Sequence, residues 1–150
     1  MKTHIASGEL DELVIVATAI LLLVAGSDTT GITLAFACYQ LAKNSKLQEK
    51  LRDEINAVNS SDDLTYDNLQ QMSYLDQVIS ETLRFHNLAG TLQRVALQDY
   101  KVPGYDLIIE KGMKVCVNNL AIHMDSKHYE NPDVFDPEHF NKDVNAKRNP

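Results

Sequence analysis

Apolar and polar positions over the first forty residues follow a helical pattern. Ser7 is the expected N-cap, acidic side chains follow it in the first turns, and an apolar run extends from Leu13 to Gly26. The pattern predicts one helical segment that reaches Lys43, which would be about 50 Å long at 1.5 Å per residue. A helix of this length needs packing partners on several sides, so we expect the chain to be part of a larger domain.

The rest of the chain divides into helices before residue 87 and short strands after it. Apolar residues that recur every three or four positions predict the helices, and short apolar runs between turn residues predict the strands. From residue 123 we expect a loop that ends in a polar tail. The fold class is therefore mainly α with a small β-sheet (α+β). The predicted elements are helices over 46–58, 66–72 (capped by Thr65) and 74–85, a turn over 59–63, strands within 92–97, 100–109 and 113–117, and turns at Pro103-Gly104 and Lys111-Gly112.

A polar stretch at residues 26–31, GSDTTG, lies in the middle of the first predicted helix. Its six residues are poor helix formers and together give up about 4 kcal/mol of helix propensity relative to alanine. One interpretation is a break between two helices, with Asp28 or Thr29 capping the second one. The other keeps one helix that opens locally, so that a carbonyl or hydroxyl group faces a ligand. The spacing of these residues is compatible with both interpretations.

The apolar run from Leu13 to Gly26 also needs to be tested as a membrane segment. It is shorter than the roughly 18 to 20 residues that span a bilayer. Acidic rather than basic residues precede it, whereas a signal peptide has a basic start. We therefore interpret the run as a buried helix and expect no targeting segment within the chain.

Composition limits the classes of function. The 150 residues suffice for one domain, and a net charge of -7 without a basic block argues against nucleic acid as a partner. The two cysteines, Cys38 and Cys116, are far apart, and each lies within an apolar run. We expect both to be buried thiols in a reducing compartment, and neither to belong to a disulfide framework or a zinc site.

Two further groups of residues bear on chemistry. Glu81 and Arg84 are three positions apart on a predicted helix and can touch. Such a pair is usually an exposed ion pair of small energy, but the neighbouring apolar residues predict partial burial here. In the loop over Phe135–Phe140, the two terminal phenylalanines can pack against the core. His139 is then free to form hydrogen bonds. A lone histidine of this kind is more often structural than catalytic.

These three pieces, in this order, resemble the cytochrome P-450 superfamily of haem-thiolate monooxygenases. The stretch AGSDTT (Ala25–Thr30) is similar to the family's oxygen-binding signature in its long central helix. Glu81–Arg84 matches its Glu-x-x-Arg motif, and Phe135–Phe140 matches its aromatic-x-Pro-Glu-Arg-Phe loop. The likeness covers nearly the whole chain and is greatest to the microsomal, animal-type branch. The chain then corresponds to a partial domain over residues 1–150, from the central helix through this loop.

The resemblance implies a haem-dependent enzyme that inserts one atom of O2 into an apolar small molecule, such as a xenobiotic, a steroid or a fatty-acid-like compound. It implies electrons from an NADPH-dependent reductase, with cytochrome b5 as a further candidate donor. It also implies the cytoplasmic face of the endoplasmic reticulum membrane, through an N-terminal anchor absent from this chain. Two alternatives stay open: a truncated, non-catalytic product that acts as an interaction module, and a family member that rearranges peroxides without external electrons.

The resemblance also implies roles for individual residues. Asp28 and Thr29 would be an acid–alcohol pair that relays protons to dioxygen, beside an opening in the helix. Arg94 would hold a haem propionate, since guanidinium groups suit carboxylates. The implied sets are catalytic Ala25, Gly26, Asp28 and Thr29; cofactor-binding Ala25, Thr29 and Arg94; substrate-binding Val24, Ala25, Leu88, Ala89 and Leu92; and a structural cluster of Glu81, Arg84 and His139.

Three departures from the family pattern matter. His139 stands where arginine is usual, and a histidine can still donate a hydrogen bond to Glu81. The prolines that commonly follow Glu-x-x-Arg are missing from FHNLAG, residues 85–90. The family's haem loop, which carries the cysteine thiolate ligand of iron, should follow Pro150, so we assign no metal ligand within the chain.

Overall fold

The computed structural model describes residues 11–58 and 65–148. Ser7 and the predicted turn at 59–63 lie outside the described residues. The elements are helices α1 (Glu12–Lys43), α2 (Ser45–Val58), α3 (Tyr66–Gln71), α4 (Ser73–Phe85), α5 (Asn119–His123) and α6 (Lys142–Arg148), a 3-10 helix (Pro137–Phe140), and strands β1 (Thr91–Val95), β2 (Tyr100–Lys101), β3 (Ile108–Ile109) and β4 (Lys114–Asn118). This arrangement confirms the predicted fold class, mainly α with a small amount of antiparallel β structure.

Helix α1 is one continuous α-helix. Asp11 is its N-cap and accepts a hydrogen bond from the amide of Leu13 at 2.9 Å. The helix runs through residues 26–31 without interruption, so the interpretation as two helices is wrong. Long flanks of good helix formers explain this result, because extending an existing helix costs far less than starting a new one.

The first half of α1 is exposed, which corrects the prediction of a buried helix. Its apolar side chains from Leu13 to Val24 are exposed because no described element packs against them. By length and composition, α1 is also apolar enough to cross a membrane, contrary to the estimate from residues 13–26 alone. The core helix of a soluble protein and a signal sequence share these properties.

Packing begins at the C-terminal end of α1, where it meets α2 and α4. Leu51, Tyr74 and Val78 form the small buried apolar cluster, with Leu41 and Leu75 packed against it. Burial, followed by the charges of nearby carboxylates, raises the pKa of Tyr74 to about 12, so its phenol stays neutral at physiological pH. This cluster holds α4 against its neighbours and thereby positions the residues at its C-terminal end.

A second joint connects α1 to the end of α4. The ring of Phe36 stacks on that of His86 at 4.0 Å between centroids, and the Nε2 atoms of Gln40 and His86 lie 2.8 Å apart in a hydrogen bond. Burial, and then the charge of Lys43, lowers the pKa of His86. The Gln40 amide nitrogen can only donate, so His86 Nε2 accepts this bond and the ring is neutral. The stacking and the hydrogen bond together hold the end of α4 against α1.

The N-terminus of α4 is capped from another helix. Its own N-cap residue, Met72, supplies no side-chain hydrogen bond. Glu54 of α2 fills this role: its carboxylate accepts from the amide of Tyr74 at 2.7 Å and from that of Leu75 at 2.9 Å. A carboxylate at this position also interacts favourably with the helix dipole.

Replacing Glu54 with alanine is therefore expected to lower the free energy of unfolding by about 1 kcal/mol, the usual value of an N-cap. Urea unfolding of the protein followed by circular dichroism measures this change. Glu49→Ala is the matched control, because Glu49 is an exposed carboxylate on the same helix. Equal losses in the two variants would contradict the capping role of Glu54.

The strands form two separate antiparallel ladders, where a single small sheet was predicted. Strand β1 pairs with β4, and β2 pairs with β3. Within 100–109, β2 and β3 form a hairpin that turns at the predicted Pro103-Gly104, where the φ of 80° at Gly104 favours glycine. Gly112, with φ of 89°, makes the second predicted turn before β4. Both predicted turns are thus confirmed.

The 3-10 helix and α6 lie where a loop and a polar tail were predicted from residue 123, and the unpredicted helix α5 ends at that residue. Two of these three elements have a side-chain cap: Asn118 accepts from the amide of Ala121 at 3.1 Å, and Asp136 accepts from the amide of Glu138 at 3.0 Å. These elements are too short and too polar to show a hydrophobic period, which is why the pattern missed them.

Both cysteines are exposed, which corrects the prediction of buried thiols. Cys38 lies on α1 and Cys116 on β4. Each has apolar neighbours in the sequence, but the faces that carry them are not covered by another described element. Apolar neighbours in the sequence therefore did not predict the burial of these two cysteines correctly.

Candidate functional site

The largest fully buried side chains of the described structure include the oppositely charged Arg84 and Glu81. Helix α4 places them one turn apart. Arg84 donates from Nε to Glu81 Oε2 and from Nη2 to Glu81 Oε1, both at 2.7 Å. This two-pronged geometry is the strongest pairing available to an arginine and a carboxylate.

The remaining donors of Arg84 are used by backbone carbonyls. Nη1 donates to the carbonyls of His123 at 2.7 Å and Pro132 at 2.9 Å, and Nη2 donates to that of Val134 at 3.2 Å. Together with the two bonds to Glu81, all five guanidinium N–H groups are thus satisfied. Arg84 ties the end of α4 to α5 and to the loop that precedes the 3-10 helix.

Glu81 is equally well satisfied, and His139 is one of its partners. Glu81 Oε1 also accepts from the amide of Asp136 at 2.9 Å, and His139 Nδ1 lies 3.2 Å from the same oxygen. His139 Nε2 is 2.6 Å from the carbonyl of Glu130. Both ring nitrogens therefore face oxygen acceptors, as two N–H donors of an arginine would. The structure brings the predicted cluster of Glu81, Arg84 and His139 together.

His123 links this buried cluster to the loop after α4. Its carbonyl accepts from Arg84, and its ring Nδ1 lies 3.0 Å from Nδ2 of Asn87. Burial, and then the neighbouring Arg84 guanidinium, lowers the pKa of His123. The neutral ring is thereby favoured, and it can accept a hydrogen bond at Nδ1.

The polar stretch of α1 is arranged differently from the prediction. The helix is α-helical at Ala25 and Gly26, so the predicted local opening is absent from α1. The hydroxyl of Thr29 donates to the carbonyl of Ala25 at 2.7 Å, a bond within the helix. Asp28 and Thr29 are exposed and share one face with Ala25 by their spacing. The hydroxyl oxygen retains lone pairs that can accept from water.

The predicted substrate-side residues lie on one short segment that follows α4. Leu88 and Ala89 are exposed in the loop, and Leu92 lies on β1, all of whose residues are exposed. Leu92 and Arg94 lie on the same face of β1, since side chains alternate along a strand. Their cross-strand partners are Val117 and Val115, respectively. Arg94 therefore stands at the edge of an apolar face.

The predicted residues thus fall into two groups on separate elements. One group lies on α1 (Val24, Ala25, Gly26, Asp28 and Thr29), and the other follows α4 (Leu88, Ala89, Leu92 and Arg94). Within residues 11–58 and 65–148, no hydrogen bond joins the two groups. Within residues 11–58 and 65–148, no group of three His, Cys, Asp or Glu side chains is placed to hold a metal ion.

Sequence reasoning missed His123 and Asn87 as parts of the site. Asn87 carried a signal, because it follows Glu-x-x-Arg directly where prolines are common in the resembled family. His123 carried none, since it acts through a carbonyl and through a partner 36 positions away. The three carbonyl acceptors of Arg84 are likewise invisible to residue types.

Comparison with known proteins shows which family the sequence resembles. A sequence model described as cytochrome P450 matches residues 1–150. Cytochrome P450 6B7 of Helicoverpa armigera is 40% identical over 148 residues, covering 97% of this chain and 29% of that protein. Cytochrome P450 6a2 of Drosophila melanogaster is 45% identical over 128 residues, covering 83% and 25%, respectively. Cytochrome P450 3A13 of Mus musculus is 41% identical over 150 residues, covering 99% and 29%.

The chain thus spans less than a third of the length of these relatives. The match nevertheless extends over its full length and includes the buried Glu81–Arg84 pair, the polar stretch of α1 and the 3-10 helix. Membership therefore does not depend on one short motif. The chain belongs to the cytochrome P450 family.

Proposed function

We propose that the protein containing this chain is a haem-dependent monooxygenase that inserts one atom of O2 into an apolar small molecule. Electrons come from NADPH through a reductase, with cytochrome b5 as a further candidate donor. The protein acts at the cytoplasmic face of the endoplasmic reticulum membrane. Residues 1–150 are part of its haem domain, from the central helix through the 3-10 helix. The observation that carries the proposal is the family match over all 150 residues.

The buried cluster supports a structural role beneath the cofactor. Glu81 and Arg84 are each at most 1% exposed and saturate one another's hydrogen-bonding groups together with backbone partners. Such a network fixes the loop before the 3-10 helix against α4. A cofactor-binding loop that packs against this network would be held in one position.

The described residues fit the carboxylate side of a haem. Arg94 donates to the adjacent carbonyl of Gln93 at 2.8 Å and, within the described ranges, forms no ion pair. A guanidinium with free donors beside Leu92 suits the propionate of an apolar ring. Arg94 would hold that propionate, and the thiolate ligand would come from the family's cysteine loop, which is absent from these 150 residues. When bound, the haem supplies the iron that activates dioxygen.

The exposed face of α1 supplies the groups for proton transfer. Asp28 and Thr29 present a carboxylate and a hydroxyl beside Ala25, and the hydroxyl oxygen can hold a water. Val24 and Ala25 add apolar surface on this helix, and Leu88, Ala89 and Leu92 add it from the loop and β1. We assign these residues to the substrate side, which indicates an apolar substrate.

Expression of the full-length gene product with haem tests the proposal. We expect the absorption band of a thiolate-ligated haem when the protein is reduced under carbon monoxide. With NADPH, a reductase and an apolar probe such as testosterone, one atom of isotopically labelled dioxygen should appear in the product.

The same experiment separates the alternatives. A soluble, folded product without the haem band would contradict the proposal and favour an interaction module. A haem band without NADPH consumption, combined with turnover of a lipid hydroperoxide, would favour a peroxide-rearranging enzyme. Incorporation of oxygen from water rather than from O2 would also contradict a monooxygenase.

A further inference from the structure

We propose that Asn87 is a positioning residue that fixes the loop over 88–92 through two side-chain hydrogen bonds, and that it thereby determines which part of a substrate is oxidised. The second part of this statement rests on the proposed function, because it requires the loop to face a substrate. The first part concerns the fold alone and can be tested separately.

The first hydrogen bond is local. Asn87 Oδ1 accepts from the amide of Ala89 at 2.8 Å, two residues further along the chain. This contact is an Asx-turn, in which a side chain takes the place of a backbone turn. It sets the direction in which the chain leaves α4, whose last helical residue is Phe85.

The second hydrogen bond is long-range. Asn87 Nδ2 lies 3.0 Å from Nδ1 of His123, at the end of α5. Nδ2 of an asparagine can only donate, so His123 Nδ1 must be the acceptor and the ring proton must lie on Nε2. The charged groups that face His123 are Arg84 and Glu81, and the ring of Tyr129 lies edge-on at 6.2 Å. Burial and Arg84 lower the pKa of His123, which favours this neutral form.

His123 is itself an anchored partner. Its carbonyl accepts from the fully buried Arg84 at 2.7 Å, so its backbone cannot move without breaking that bond. The loop has two longer hydrogen bonds to the same helix. Asn119 Nδ2 donates to the carbonyl of Ala89 at 3.3 Å, and the amide of Leu120 donates to the carbonyl of Gly90 at 3.2 Å. Asn87 is the side chain that connects α4, the loop and α5 in one unit.

The sequence context explains why this loop needs such a constraint. The matched family commonly has prolines after Glu-x-x-Arg, and proline fixes the backbone by its ring. Here residues 85–90 contain none, so the loop has to be fixed by other means. The two hydrogen bonds of Asn87 provide that constraint.

Hydrogen exchange of the full-length protein tests the first part. Asn87→Ala removes both bonds, and we expect exchange at the amide of Ala89 to become about fivefold faster, as for the loss of one net hydrogen bond. Asn141→Ala is the matched control, because Asn141 accepts from the amide of Asp143 at 3.2 Å in the same local geometry. The control should leave exchange at Ala89 unchanged.

Product analysis tests the second part, with testosterone as a probe that offers several oxidisable positions. We expect Asn87→Ala to change the ratio of its oxidation products by about threefold or more, with haem content unchanged. Asn87→Asp retains the acceptor for Ala89 but has no donor for His123 Nδ1, so its product ratio should lie between those of the wild type and Asn87→Ala. His123→Phe keeps the ring but not Nδ1, and combining it with Asn87→Ala should add no further change.

The outcomes distinguish the two levels of the proposal. Unchanged exchange at Ala89 in Asn87→Ala overturns the positioning role. Faster exchange with an unchanged product ratio overturns the effect on substrate orientation. If the wild-type protein binds haem but oxidises no probe, the proposed function has failed, and the exchange result alone then decides whether Asn87 holds the loop.

Discussion

Glu81→Ala is expected to abolish haem incorporation into the full-length protein. The change leaves the guanidinium of Arg84 buried without its counter-charge and removes the acceptor for Asp136 and His139. Breaking a buried pair in this way costs about 3–5 kcal/mol, a large share of the stability of a domain. Haem content per folded protein, measured by absorption under carbon monoxide and by urea unfolding in parallel, checks this result.

Glu138→Ala is the matched control for this prediction. Glu138 also forms an ion pair, with Lys50, but both side chains are about half exposed. Hydrogen bonds from Lys50 and then Asn141 lower the pKa of the Glu138 carboxyl. An exposed pair of this kind contributes about 0–1 kcal/mol, so haem content should stay normal. Normal haem content in Glu81→Ala as well would contradict the structural role of the buried cluster.

Thr29→Ala is expected to uncouple NADPH consumption from product formation. Under the proposed function, Thr29→Ala removes the hydroxyl of the proton relay that we assign to Asp28 and Thr29, and proton delivery is expected to become slow. Product formation should fall by about 10²-fold, the low end for a lost proton-transfer group. NADPH consumption should fall much less, with hydrogen peroxide released instead. Simultaneous assays of NADPH, peroxide and product measure the change.

Helix α1 offers a matched control for the loss of a threonine. Thr18 donates to the carbonyl of Val14 at 2.7 Å, the same bond that Thr29 makes to Ala25. Thr18→Ala therefore has the same local effect on the helix, and it should leave coupling unchanged. Thr29→Ser should retain much of the coupling because it keeps the hydroxyl. Wild-type coupling in Thr29→Ala would show that Thr29 is not part of the relay.

Much of the helical structure could be predicted from the sequence. Helices α2, α3 and α4 begin within one residue of the predicted positions, since their apolar stripes and the cap at Thr65 are local signals. The contact between Glu81 and Arg84 follows from their spacing on one helix. Its complete burial required the structure, because neighbouring apolar residues indicated only partial burial.

Other features depend on residues far apart in the sequence. The carbonyls that accept from Arg84 lie 39, 48 and 50 positions from it, and no residue type marks a carbonyl as an acceptor. The exposure of Cys38 and of Leu13 depends on which other elements cover them, which an apolar run does not specify. The continuity of α1 depends on its long flanks rather than on the six polar residues alone.

The partners of Arg84 have a consequence for the order in which the protein folds. During synthesis, α4 emerges well before Pro132 and Val134, so three of the five guanidinium donors lack their final acceptors at that stage. If Arg84 were buried at that stage, these three donors would have neither water nor a carbonyl as hydrogen-bond partner. The arginine on the newly synthesised helix therefore has to stay hydrated. Closure of the interior therefore has to wait for the segment that ends at His139. A chain whose synthesis stops before this segment therefore cannot complete its interior. Its apolar surface stays exposed, and chaperones and proteases can bind it.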